Sequence, residues 1–160
     1  MNKLSVLQNV KTVFTHPYPH ICIDEALPQS VYDELDATFP EELICSTTPH
    51  DGGICYRYKA KECAQESPPA IWQDFFAYHT SPEYFQECAK VFEPHIVEAY
   101  GDEFMHDMLT KDVSVRDVDT GGHYVTDCQF VVHEPVDSSG TSRTPHVDNP
   151  VEIYAGLLYM

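Results

Sequence analysis

The sequence predicts an α+β protein in which helices come first and an antiparallel sheet follows, laid against them as a helix-buttressed jelly roll. Three observations carry this. Apolar residues recur at helical spacing between Leu27 and the region of Ile96. From Asp112 onward the pattern changes to short runs rich in β-branched and aromatic residues, separated by Gly- and Ser-bearing turns. The chain has 160 residues, 42% of them hydrophobic, enough apolar material for one core. A single domain is therefore expected over residues 1–160, with helical support over about 1–110 and a sheet core over about 111–160.

Element by element, Pro19-His20-Ile21-Cys22-Ile23-Asp24 reads as a short strand. Leu27, Val31, Leu35 and Phe39 repeat every four residues and mark one face of a helix that Pro40 stops. Residues 44–68 hold Asp51-Gly52-Gly53 and Ser67-Pro68, followed by Pro69, and read mostly as loop, with a strand near Ile54 to Tyr58. Ala70 to His79 places Ile71, Trp72, Phe75 and Phe76 on one helical face. Ser81-Pro82 is a helix start, with the hydroxyl as cap and the proline in the first turn. Phe85, Cys88, Phe92 and Ile96 continue the stripe, and Pro94 should kink or split that helix. Val113 to Arg116, His123 to His133, Thr144 to Val147 and Glu152 to Tyr159 then read as strands. Asp119-Thr120-Gly121-Gly122 turns between the first two, and Val136 to Thr144 forms a longer loop. An apolar strand ending at Met160 leaves an unprotected edge, so the sheet is expected to be C-terminally incomplete here, or completed by a partner or by self-association.

Charge narrows the function classes. The formal net charge is −17, from 26 acidic and 9 basic residues. A field of that sign repels phosphate backbones and anionic lipid, which argues against nucleic acid or membrane as direct partners. No apolar run approaches the roughly 18 residues of a membrane span. Nothing at the N-terminus resembles a signal peptide. The six cysteines, at 22, 45, 55, 63, 88 and 128, contain no CxxC pair, so a zinc ribbon is not expected and most should be small reduced core residues of a cytoplasmic protein.

The chemistry is concentrated in His146-Val147-Asp148-Asn149-Pro150, just ahead of the apolar run Ile153 to Tyr159. Two residues apart on extended backbone, His146 and Asp148 point the same way. An imidazole and a carboxylate so placed are two thirds of the 2-His-1-carboxylate triad that holds non-heme Fe(II) with open positions. The competing reading is a strand end running into an Asn-Pro turn, with Asp148 bonded to its own backbone. Arg143 is a candidate pocket cation for substrate, against a plain loop position. His133 and His123 read as surface residues, and Tyr154 as a packing residue.

Pro145-His146-Val147-Asp148-Asn149-Pro150, with Tyr159 downstream and the opening stretch Tyr18-Pro19-His20-Ile21-Cys22-Ile23-Asp24-Glu25-Ala26-Leu27-Pro28, resembles the Fe(II)- and 2-oxoglutarate-dependent dioxygenases, most closely their prolyl-4-hydroxylase-like branch. The resemblance touches both ends of the chain and implies the N-terminal part of a double-stranded β-helix, cupin-like in shape. It implies His146 and Asp148 as the first two metal ligands. Tyr159 would help hold the distal carboxylate of 2-oxoglutarate, and Gln129, on the strand before the motif, would sit among cosubstrate or substrate contacts. The family's second histidine and its carboxylate-pairing basic residue would lie some tens of residues beyond residue 160. The implied reaction oxidises 2-oxoglutarate to succinate and carbon dioxide and hydroxylates a C–H bond, with ascorbate as an accessory reductant. Asp148 points to hydroxylation, since halogenating relatives lack that carboxylate. The substrate would be a small molecule or a protein side chain, which fold does not choose between. Two other readings compete: a non-catalytic jelly-roll module that binds through an exposed edge strand, and a cupin-like isomerase or hydrolase with His and Asp ligands. No nucleophile elbow, phosphate loop or HExxH motif is present.

Overall fold

A computed structural model of the chain describes residues 2–48, 55–66, 68–133 and 151–160. Helices and strands are mixed, with seven helices and four strands among the described residues. The helices are α1 (Gln29–Ala37), α2 (Glu41–Cys45), α3 (Ala60–Gln65), α4 (Ala70–His79), α5 (Pro82–Val91), α6 (Glu93–Tyr100) and α7 (Asp102–Thr110). The strands are β1 (Cys55–Lys59), β2 (Val113–Val115), β3 (Tyr124–Thr126) and β4 (Gln129–His133).

Helix α1 buries Val31 and Leu35, the middle of the four-residue repeat. Its chain enters through Pro28 and leaves at Thr38, two residues before Pro40. Helix α4 has the expected bounds and buries Ile71, Trp72, Phe75 and Phe76. Ser81 caps α5, its hydroxyl accepting from the Tyr84 N–H at 3.2 Å with Pro82 in the first turn. The expected break at Pro94 is real: α5 ends at Val91 and α6 begins at Glu93, so the proline sits in a first turn where its missing N–H costs nothing. Gly101 separates α6 from α7 with φ of 87°, a conformation that L side chains rarely adopt. Gly122 lies so close to Ser114 that a Cβ there would collide with its backbone nitrogen.

Strand β1 pairs antiparallel with β4, with Lys59 opposite Gln129 and Arg57 opposite Val131. Alternation sends Tyr56, Tyr58, Phe130 and Val132 inward and Arg57, Lys59, Gln129 and Val131 outward. The inner face meets α1, α2 and α4 in one apolar cluster, with Phe130 at its centre. Its ring lies 4.6 Å from Trp72, 4.8 Å from Phe76, 5.5 Å from Phe39 and 6.0 Å from Tyr58. A second cluster joins α5, α6, α7 and β3 through Phe85, Ala89, Ile96, Met105, Met108 and Tyr124. The N-terminal segment is tied to α4 and α5 by Glu87, which accepts from the Ser5 hydroxyl at 2.6 Å and the Tyr78 hydroxyl at 2.7 Å.

Several expectations are corrected. Residues 19–24 form no strand; the local pairing is one antiparallel bridge, Phe14 with His20, because Pro17 and Pro19 remove the N–H groups a ladder would need. The strand expected near Ile54 to Tyr58 is present as β1, but within the stretch 44–68, expected to be mostly loop, α3 also forms, and α2 ends at Cys45, since five or six residues carry too little periodicity to read. The run His123 to His133 is split into β3 and β4 at Asp127-Cys128. Strand β3 pairs with β2 in parallel, not antiparallel, so Asp119 to Gly122 belongs to a wider connection than a hairpin turn. Residues 152–160 form no strand, and Leu157 and Tyr159 are each 81% exposed. Apolar alternation there finds no ladder partner among the described residues. The described strands form two two-stranded sheets and no barrel. The expected strand Thr144 to Val147 and loop Val136 to Thr144 lie outside the described residues. Among those residues no helix is long and apolar enough to cross a membrane.

His79, at the end of α4, is buried against the rings of Phe75 at 3.9 Å and Tyr84 at 4.4 Å. Its Nδ1 bonds the Phe75 carbonyl at 2.8 Å, which makes Nδ1 the protonated nitrogen, and Nε2 has no partner among the described residues. Burial pushes its pKa down to about 4, with the Phe75 carbonyl and Glu87 offsetting only part of that. The unfolded chain takes up this proton near pH 6.5. The native state therefore keeps the full benefit of a neutral His79 above that pH and loses up to about 3 kcal/mol as pH falls from about 6.5 to 4. Urea unfolding at stepped pH should show this loss in the wild-type chain, and His79→Gln should lack that component. Parallel pH profiles for the two would contradict the assignment.

Candidate functional site

The outward face of the β1–β4 pair gathers the polar chemistry. On an antiparallel pair, directly opposed side chains stand about 5 Å apart at Cβ and diagonal ones remain within reach of long side chains. Lys59 therefore stands beside Gln129, and Arg57 reaches it diagonally: its Nη1 donates to Gln129 Oε1 at 3.4 Å. All three are half-buried. The Lys59 backbone N–H is taken by Glu62 Oε2 at 2.9 Å, at the start of α3.

At the base of β4, Asp127 is held by opposing forces. Burial raises its carboxyl pKa, while the Arg116 and Lys59 charges lower it. The Arg116 guanidinium lies 3.8 Å from Oδ2, and Oδ1 is buried without a partner among the described residues. Next to it, burial and the Asp127 charge push the Cys128 thiol up to about 12, so this thiol is an inert packing group. All six cysteines are free, and Cys55, Cys63 and Cys88 are buried. A separate open cleft of about 340 Å³ is lined by Tyr100, Phe104, His123 and Tyr124 and closed by Val151, Glu152 and Ile153.

His146, Asp148 and Arg143 lie outside the described residues. Gln129 is on a strand, as expected, and it is brought to Arg57, a residue that sequence reasoning did not single out. Tyr159 is 81% exposed and makes no hydrogen bond among the described residues, so it is not joined to Gln129 here. Tyr154, by contrast, packs: its ring is 6.1 Å from Phe85, and burial beside Cys88 raises its pKa. His123 and His133 are exposed, as expected. Among the described residues no three His, Cys, Asp or Glu side chains are grouped to hold a metal.

The alternation Arg57-Tyr58-Lys59 could have signalled a face with two cations, but its pairing with β4 spans some seventy residues and no local pattern reveals it. No family model, curated protein or solved structure matches the chain.

Proposed function

We propose that this chain is part of an Fe(II)- and 2-oxoglutarate-dependent oxygenase that hydroxylates a small molecule or a protein side chain in the cytoplasm. The observation that carries this reading is the motif His146-Val147-Asp148-Asn149-Pro150. Two features of the fold support it. Helices back an antiparallel pair, the arrangement a helix-buttressed double-stranded β-helix requires. Strand β4, which leads toward the motif, presents Gln129 on its outward face, away from the aromatic core.

His146, as a neutral imidazole, and Asp148, as a carboxylate, would hold the metal and leave positions open. The iron would supply oxidative decarboxylation of 2-oxoglutarate coupled to oxygen insertion into a C–H bond. The chain's own part is to fix the ligands, keep the Gln129 amide in place through Arg57, and seat cosubstrate and substrate.

The second reading, a non-catalytic binding module, draws on the exposure of Tyr159 and on the two separate two-stranded sheets. Anaerobic Fe(II) titration followed by calorimetry separates the two. Loss of a group that merely hydrogen-bonds a metal ligand costs about 10- to 100-fold in metal affinity, so His146→Ala or Asp148→Ala should weaken Fe(II) binding by at least about tenfold. Unchanged affinity in both variants would favour the binding module.

A further inference from the structure

We propose that the outward face of the β1–β4 sheet is a binding site for a small carboxylate, gripped by the Arg57 guanidinium and the Gln129 amide with the Lys59 ammonium beside them. The argument starts from donors and acceptors. Gln129 has one acceptor oxygen, and Arg57 occupies it at 3.4 Å. That commits the Gln129 oxygen to Arg57 and leaves its NH₂ a donor with no acceptor among the described residues. Arg57 has five N–H groups and gives this one bond to a side chain among the described residues. Lys59, opposite Gln129 in the register, adds three more donors. The resulting cluster is dominated by donors, the composition an anion favours.

Charge sharpens this. The chain holds 26 acidic residues against 9 basic ones, so a carboxylate partner for any arginine was abundantly available. Yet the described ion pairs are Lys111 with Asp107 and Arg116 with Asp127, and Arg57 has none among the described residues. The acids recorded beside Lys59 are engaged: Glu62 accepts from the Lys59 backbone N–H, and Asp127 faces Arg116 and the Lys59 charge. A half-buried guanidinium that forgoes a protein carboxylate is left able to take one from a ligand, and its planar fork matches a carboxylate in two parallel bonds. A net charge of −17 repels a polyphosphate more strongly than a small carboxylate, and the flat two-oxygen edge of a carboxylate matches the guanidinium fork.

The carboxylate could belong to 2-oxoglutarate or to a substrate. The resemblance assigns the cosubstrate to Tyr159 and to a basic residue beyond residue 160, so Arg57 is an additional charge. The test is calorimetric titration of the metal-free full-length gene product with acetate, succinate and 2-oxoglutarate, comparing wild type, Arg57→Gln and Lys59→Gln. Arg57→Gln keeps length and polarity on an outward-facing position, and thermal unfolding without ligand checks that the fold is intact. The wild type should bind the dicarboxylates, and Arg57→Gln should bind them at least about tenfold more weakly, as loss of a charge-assisted pair requires. Lys59→Gln should show a smaller loss. Repeating the titration with Fe(II) under anaerobic conditions separates the sources. Tightening of 2-oxoglutarate alone, still lost in Arg57→Gln, assigns the site to the cosubstrate. Binding that Fe(II) leaves unchanged assigns it to a substrate carboxylate. Equal affinity in wild type and Arg57→Gln, or no carboxylate bound at millimolar concentration, would overturn the proposal. Because the first arm is metal-free, its outcome is independent of whether His146 and Asp148 bind iron.

Discussion

Phe130→Ala is expected to destabilise the fold by about 4 kcal/mol, the usual cost of removing a fully packed phenylalanine. Phe130 is 6% exposed and is surrounded by Trp72, Phe76, Phe39 and Tyr58 at ring distances of 4.6 to 6.0 Å. It sits on β4, a strand whose partner β1 is some seventy residues earlier in the chain, so its ring joins distant segments to α4. No neighbouring side chain can swing in to fill a hole walled by four other rings, so the cavity term adds to the lost transfer energy. Against a typical stability of about 5–15 kcal/mol, this places the variant near the edge of folding. The measurement is the urea midpoint of Phe130→Ala beside Val131→Ala, one residue on and facing outward. The second should stay within about 0.5 kcal/mol of wild type. Similar effects at the two positions would mean that β4 faces the other way, and the outward placement of Gln129 would fall with it.

The second large effect concerns chemistry. In the proposed site the carboxylate of Asp148 is one of the two metal ligands this chain supplies. A catalytic metal held by fewer groups loses affinity and orientation together, so Asp148→Ala should abolish turnover instead of slowing it. His146→Ala should do the same. Gln129→Ala and Arg57→Gln stand outside the ligand set, and their losses should appear in the concentration of carboxylate needed for binding.

How much of this could be read from the sequence differs by element, for physical reasons. Helices α1, α4 and α5 were plain, because nine or ten residues with a regular apolar face and proline or serine boundaries give both a period and its ends. The split at Pro94 followed from one residue. Helices α2 and α3 were hidden, since a five- or six-residue helix shows barely more than one turn of pattern. Residues 153–159 show the opposite failure: Ile153, Leu157 and Tyr159 look like strand, yet apolar alternation creates no strand without a neighbour to bond. The parallel pairing of β2 with β3 was unreadable, because a short connection ordinarily implies a hairpin. At the candidate site, Gln129 was found through a likeness of motif position, whereas Arg57 needed the β1–β4 register. The metal-ligand pair is wholly a sequence observation, carried by the period-2 spacing of His146 and Asp148.

The most direct test of the oxygenase reading is Fe(II)-dependent conversion of 2-oxoglutarate to succinate by the full-length gene product, measured beside its Asp148→Ala variant. The account predicts succinate from the wild type that requires both Fe(II) and oxygen, and none above background from the variant. Succinate formed equally by both proteins, or none from an iron-loaded wild type, would contradict it.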